Sequence, residues 1–213
     1  MALELSLYVV TDRGLSLGRG HLEVARQAVA GGADVIQLRD KNLTSAELYH
    51  LAVQMGKEVQ GAGRLFVIND RLDIALAAGA DGVHLGQDDL PAIVARAIAP
   101  HLTIGVSVSS VDEAVKAERD GADYIAVSPL FETRSKGDAG PGHGLKVLRA
   151  IKEAAAIPVI GIGGIDRSNV TEVIESGADG VAVISAVVSQ PDIEVAAREL
   201  RSLVTDVKGR RVH

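Results

Sequence analysis

The chain has 213 residues, 47% apolar and 23% charged, with a formal net charge of −6, which fits a single enzyme domain with a well-buried core. The acidic balance and 2% aromatic content argue against a basic or base-stacking nucleic-acid surface, and the absence of Cys excludes disulfides, thiol nucleophiles and thiolate metal sites. No apolar run approaches the roughly 20 residues that span a bilayer, and Met1-Ala2-Leu3-Glu4 has no basic segment before its short apolar stretch, unlike a signal peptide. The expectation is a cytoplasmic protein without membrane or nucleic-acid partners, its oligomeric state open.

Apolar runs expected to be strands occur in chain order at Leu5–Thr11, Asp34–Leu38, Leu65–Ile68, Gly82–Leu85, Leu102–Val106, Tyr124–Val127, Pro158–Ile162 and Gly180–Ile184. Their nearly continuous Val, Ile and Leu suits parallel strands covered on both faces. Helical spacing separates them. Leu48, Leu51, Ala52, Met55 and Val59 follow the i, i+3, i+4, i+7 rule, as do Ile193, Ala196, Ala197, Leu200 and Val204. Thr44 with Glu47, and Ser110 with Glu113, have the spacing of capping boxes.

A Gly-Ala-Asp triplet recurs at Gly32, Gly79, Gly121 and Gly177, each where a helical pattern stops and a strand begins. Each interval between copies holds one more strand and helix. Four repeats of two β/α units make eight, the number that closes a (β/α)₈ TIM barrel. A doubly wound open sheet is the alternative that the four-fold repeat disfavours. The barrel is expected over residues 1–207, with Lys208 to His213 a basic, solvated tail.

Barrel active sites lie at the C-terminal strand ends, and the polar residues gather there. Strand two runs out as Gln37-Leu38-Arg39-Asp40-Lys41, and alternation along an extended chain turns Gln37, Arg39 and Lys41 to one side. Two cations and an amide suit a polyanion beside a heterocycle; a solvated strand end fits the same pattern. Strand three ends in Asn69-Asp70 and strand four in Gly86-Gln87-Asp88-Asp89. Two carboxylates at adjacent strand ends suit Mg²⁺ completed by substrate phosphate oxygens, or simply N-cap the following helices. Ser107 ends strand five, where a hydroxyl either donates to phosphate or satisfies local backbone. The loop from Phe131 to Gly142, with Lys136 as its anion contact, reads as a lid or as a plain connection. Gly161-Ile162-Gly163-Gly164 and Ile184-Ser185 end strands seven and eight, the usual phosphate position of such barrels, although tight packing also explains glycines there.

The sequence resembles the thiamine-phosphate synthase family over nearly its whole length, from Tyr8-Val9-Val10-Thr11-Asp12 to Val183-Ile184-Ser185-Ala186. The resemblance rests on Gln37-Leu38-Arg39-Asp40-Lys41, Ile68-Asn69-Asp70, the run from Asp81 to Asp89, Thr133-Arg134-Ser135-Lys136 and Gly161-Ile162-Gly163-Gly164-Ile165. It implies an enzyme that joins a hydroxymethylpyrimidine diphosphate to a thiazole phosphate, giving thiamine phosphate and pyrophosphate. It implies that Gln37, Leu38, Arg39, Asp40, Lys41, Asn69, Ser107 and Lys136 hold the pyrimidine diphosphate, with Arg39, Lys41, Ser107 and Lys136 acting on the leaving group. Asp70 and Asp89 are implied to hold magnesium, one ion per active site. Thr133, Arg134, Ser135, Gly164, Ile184 and Ser185 are implied to hold the thiazole phosphate.

The related TenI-like thiazole tautomerases carry a catalytic His directly after the Ser-Val of strand five, a position where many synthases also have His. Here it is Ser109, which weakens the tautomerase reading more, because that reaction needs an acid-base group. Another phosphosugar-type barrel would explain the glycines but not Gln37, Asn69 and Lys136. A non-catalytic barrel sensing a thiamine intermediate would not need Asp70 and Asp89. His84 reads as a satisfied strand histidine.

Overall fold

A computed structural model describes residues 3–133 and 142–210. Eight parallel strands, β1 (Leu7–Val10), β2 (Val35–Leu38), β3 (Leu65–Asn69), β4 (Gly82–Leu85), β5 (Thr103–Val108), β6 (Tyr124–Val127), β7 (Val159–Ile162) and β8 (Gly180–Val183), pair in sequence order and close where β1 meets β8. The connecting helices are α1 (His21–Ala30), α2 (Ser45–Gly61), α3 (Leu72–Ala78), α4 (Ala92–Ile98), α5 (Val111–Arg119), α6 (Gly144–Ala154), α7 (Val170–Glu175), α8 (Ser185–Val188) and α9 (Ile193–Arg210). This is a single (β/α)₈ barrel, as the repeat predicts.

The helices bury the faces that their spacing marks: Leu48, Ala52, Met55 and Val59 in α2, and Ile193, Ala196, Ala197, Leu200 and Val204 in α9. Thr44 and Glu47 form a full capping box at α2, of the kind whose cap residue contributes about 1 kcal/mol. At α5 only half the box forms: Ser110 Oγ accepts from Glu113 N, while the Glu113 carboxylate reaches back to Ser109 instead. The last helix continues through Arg210, and Lys208 Nζ donates to Ser6 Oγ and Asp179 O. Residues 208–210 therefore continue the helix, with Lys208 anchored by two acceptors at the bottom of the barrel and Gly209 and Arg210 exposed.

The Gly-Ala-Asp triplets build that bottom. Gly32, Gly79, Gly121 and Gly177 all have positive φ, between 67° and 113°, the conformation that turns each helix end into the next strand. Each triplet aspartate then binds the preceding strand. Asp34 exchanges bonds with Leu7, Asp81 with Phe66, Asp123 with Ile104 and Asp179 with Val159: the aspartate N donates to the strand carbonyl, and its Oδ2 accepts from the strand N–H at 2.7–2.9 Å. A side-chain donor completes each carboxylate, from Arg64 and Arg201, Gln60, Arg96 and Lys152 respectively. The repeat is thus a set of four N-terminal fasteners, and it leaves the opposite end of the barrel open for chemistry.

Candidate active site

At the C-terminal ends of the strands lies a cavity of about 290 Å³, lined among others by Arg39, Lys41, Asn69, Asp70, Asp89 and Ser107. Alternation beyond β2 sorts its neighbours. Arg39 and Lys41 turn to the cavity, whereas Leu38 is buried and Asp40 points away. Asp40 Oδ2 lies 2.9 Å from His21 Nε2, and its Oδ1 accepts from Asn42 N and Leu43 N, so its side chain organises the turn. Gln37 lies deeper still, inside the barrel, where its Nε2 donates to Tyr8 Oη at 2.7 Å. Arg39 is held by Asp12, whose Oδ2 accepts from Nη1 at 2.9 Å while Oδ1 accepts from Gly14 N and Leu15 N. Sequence reasoning passed over Asp12; its signal is an acid two residues after an apolar strand and two before a glycine.

Asp70 and Asp89 face each other across the mouth. Neither caps a helix: α3 and α4 follow Arg71 and Pro91 without side-chain caps. Asp70 sits at φ 61°, a left-handed conformation in which its N donates to His84 O. Asp89 Oδ2 accepts from Gly86 N at 2.6 Å. Burial, the charge of Asp89 and a hydrogen bond shared with it push the Asp70 carboxyl up to about 6, against the pull of Lys41 and Arg39. Two hard oxygen donors crowded at one point suit a divalent cation that takes its remaining ligands from phosphate and water. Among the described residues no cluster of three or more His, Cys, Asp or Glu forms a protein-only metal cage.

Ser107 Oγ lies 2.9 Å from His84 Nε2, and Gln87 Nε2 donates to Ser107 O at 2.7 Å. Ser109 also lines the cavity, but its N and Oγ both donate to Glu113 Oε2, at 2.6 and 3.0 Å. Gln87 and Glu113 are cavity residues that strand-end reasoning did not weigh.

A smaller cleft adjoins the cavity at the ends of β7 and β8, lined by Thr133, Gly163, Gly164, Ile184 and Ser185, with Pro129 shared between the two. Gly164 has φ 63°, and a Cβ there would stand 2.6 Å from Glu132 O and 2.8 Å from Phe131 Cβ. The loop after β6 therefore packs directly on this glycine, so close packing requires it whatever the cleft binds. Arg134, Ser135 and Lys136 lie outside the described residues.

The thiamine monophosphate synthase family model matches residues 7–187. The chain belongs to that family. It is 55% identical over 207 residues to the thiamine-phosphate synthase of Methanoregula boonei, covering 97% of this chain and 96% of that protein. It is 56% identical over 203 residues to that of Methanoculleus marisnigri, covering 95% and 96%. Its fold superimposes on the thiamine phosphate pyrophosphorylase of Pyrococcus furiosus with a TM-score of 0.90 at 45% identity, over 96% of this chain and 98% of that one. A 3-hexulose-6-phosphate synthase shares the barrel at 20% identity and a TM-score of 0.71, a likeness of fold alone. The thiamine monophosphate synthase family is thus shown by nearly the whole chain. No helix among the described residues is long and apolar enough to cross a membrane.

Proposed function

We propose that the chain condenses 4-amino-2-methyl-5-(diphosphooxymethyl)pyrimidine with a methylthiazole ethyl phosphate, releasing pyrophosphate and thiamine phosphate. The observation that carries this reading is the juxtaposition of Asp70 and Asp89 with Arg39, Lys41, Asn69 and Ser107 around one cavity, in a chain 55% identical to a thiamine-phosphate synthase over nearly its full length.

The difficult step is separation of pyrophosphate from the pyrimidine CH₂. The aminopyrimidine ring delocalises the carbocation left behind, so the protein's task is to stabilise charge growing on the departing oxygens. Arg39 and Lys41 supply fixed positive charge there, Arg39 oriented by Asp12. Ser107 supplies a hydroxyl donor. Asp70 and Asp89 hold magnesium, one ion per site, which contributes charge neutralisation to the diphosphate when bound. Asn69 belongs to the same diphosphate site, and Lys136, outside the described residues, is assigned to it by the family resemblance alone. The thiazole phosphate occupies the cleft at Gly164 and Ser185, with Thr133 and Ile184 around it, which brings the thiazole nitrogen beside the same carbon; Arg134 and Ser135 are assigned to it by the family resemblance alone. That nitrogen supplies the electron pair, so no protein nucleophile is needed.

Incubation with both substrates and Mg²⁺ is expected to release pyrophosphate and thiamine phosphate in equal amounts, with no sustained release when the thiazole is omitted. Absence of coupling product in the presence of intact substrates would refute the reading.

A further inference from the structure

The barrel interior holds a chain of polar side chains that the reaction does not obviously require. Gln37 Nε2 donates to Tyr8 Oη at 2.7 Å. Tyr8 Oη lies 3.0 Å from Tyr124 Oη, Tyr124 Oη lies 3.1 Å from His84 Nδ1, and His84 Nε2 lies 2.9 Å from Ser107 Oγ. Gln37, Tyr8, Tyr124 and His84 are buried, and the chain reaches the cavity at His84 and Ser107, both of which line it. The five residues come from β1, β2, β4, β5 and β6, so only barrel closure brings them together.

The strand beside this chain is cut away for it. A Cβ on Gly105 would stand 2.1 Å from Tyr124 Cζ and 2.6 Å from His84 Nδ1. Glycine weakens a strand interior, and here its missing side chain is the space in which the tyrosine and histidine meet. Burial raises both phenols above their ordinary range, which keeps both protonated and able to donate.

Direction follows from the proton count. An amide N–H₂ only donates, so Tyr8 accepts from Gln37 and passes its own proton to Tyr124. Tyr124 then donates to His84 Nδ1, which leaves the neutral ring's proton on Nε2. His84 Nε2–H donates to Ser107 Oγ, and the Ser107 proton is left to point into the cavity. The opposite sense would spend that proton on the histidine and turn a lone pair toward the ligand. A diphosphate offers only acceptors, so it needs the first arrangement.

We propose that Gln37, Tyr8, Tyr124 and His84 form a one-way hydrogen-bond relay that makes Ser107 an obligate donor to the departing diphosphate. Tyr124 and His84 are positioning residues in this scheme, and the proposal rests on the placement of the diphosphate at Ser107 given above. Gln37 heads the relay through one amide N–H, which leaves its second N–H and its Oε1 for other contacts.

The first test needs no substrate. In the full-length, ligand-free protein labelled with ¹⁵N-histidine, the His84 ring, identified by its loss in His84→Gln, is expected to show protonated Nε2 and unprotonated Nδ1. A proton on Nδ1, in the neutral or the charged ring, would overturn the relay even in an active synthase. The second test is a double-mutant cycle on pyrophosphate release. Tyr124→Phe, which touches nothing in the cavity, is expected to lower kcat about 10-fold or more while moving KM less than about threefold, a smaller loss than outright removal of such a donor. In a Ser107→Ala background the same substitution is expected to change kcat less than about twofold. Equal effects in both backgrounds would show Tyr124 acting apart from Ser107 and refute the proposal. If Tyr124→Phe does not fold, the tautomer measurement decides alone. Failure of the wild-type protein to couple its substrates would instead refute the functional reading and leave the tautomer result standing.

Discussion

The two ends of the barrel use the same residue type for opposite purposes. At the N-terminal end, Asp34, Asp81, Asp123 and Asp179 each accept from a strand N–H and from an Arg, Lys or Gln side chain. At the C-terminal end, Asp70 and Asp89 face one another, and their mutual charge with partial burial pushes the Asp70 carboxyl up to about 6. Carboxylates at the bottom are completed by the chain itself. Those at the mouth stand against each other, an arrangement that suits the cation proposed above. The lesson is that an aspartate's role in this fold is decided by which end of a strand it occupies and by what already satisfies its oxygens.

The contrast is broken most sharply at the mouth. Asp70→Ala and Asp89→Ala are each expected to lower the turnover of pyrophosphate release by about 10²–10³-fold in the folded enzyme, as for other lost electrostatic contacts to a developing charge. Wild-type turnover in either variant under excess chelator would remove the metal assignment.

At the bottom the expected effect is on stability. Asp34 is 2% exposed in its side chain, and Asp34→Ala would strand the Leu7 N–H and remove an ion-pair partner from Arg64 and from Arg201. A loss of about 2–3 kcal/mol is expected, read as a lower urea midpoint at unchanged slope, with kcat of the folded enzyme within about twofold of wild type. A variant that kept its stability and lost its turnover would contradict the division between the two ends.

A smaller effect at the mouth carries the opposite sign. A carboxyl raised to about 6 in the folded state keeps its proton to higher pH than in the unfolded chain. Folding stability therefore falls as pH rises from the ordinary carboxylate range through about 6, and stays lower above it. In metal-free, ligand-free protein, Asp70→Asn is expected to raise the melting temperature at about pH 8 and to leave it nearly unchanged at about pH 4. Asn also tolerates the left-handed backbone at this position. A lower melting temperature at the higher pH would show that Asp70 is stabilised rather than strained by its surroundings.

The fold was legible because its signals are local and repeated. The triplet marks every second helix-to-strand junction, and helical spacing marks the faces of α2 and α9. Strand-end alternation separates Arg39 and Lys41 from Leu38 and Asp40 for the same reason. Contacts made only by closure of the barrel were not legible. His84 reads as an ordinary strand histidine until Tyr124, 40 residues later, and Ser107, 23 residues later, arrive at its two nitrogens. The requirement for Gly164 was also hidden, since Phe131 and Glu132 reach it from the preceding loop. Gly164→Val is consequently a poor probe of phosphate binding: it would displace that loop before it touched a ligand. Lys208 reads as tail because nothing in its neighbourhood in sequence announces Ser6 or Asp179 O.

The smallest expected effect is at Ser109, whose hydroxyl stands where the tautomerase reading requires an acid-base group. Its Oγ donates to Glu113, but its N does so as well and would continue to in Ser109→Ala. Coupling within about tenfold of wild type is expected, a barrier change under roughly 1.4 kcal/mol. A larger loss, with the protein still folded, would make the hydroxyl part of the reaction.

One measurement tests the central claim most directly. The enzyme is incubated with the thiazole phosphate in D₂O and ring exchange is followed by NMR; the pyrimidine diphosphate and Mg²⁺ are then added to the same tube. A proton shuttle needs a group that gives and takes a proton near neutral pH, which the hydroxyl of Ser109 does not. The proposed diphosphate departure instead draws on the charges gathered at the cavity. The expected result is no enzyme-dependent exchange in the first stage, then thiamine phosphate and pyrophosphate in equal amounts in the second. Rapid exchange in the first stage with no coupling product in the second would contradict the account and identify a tautomerase.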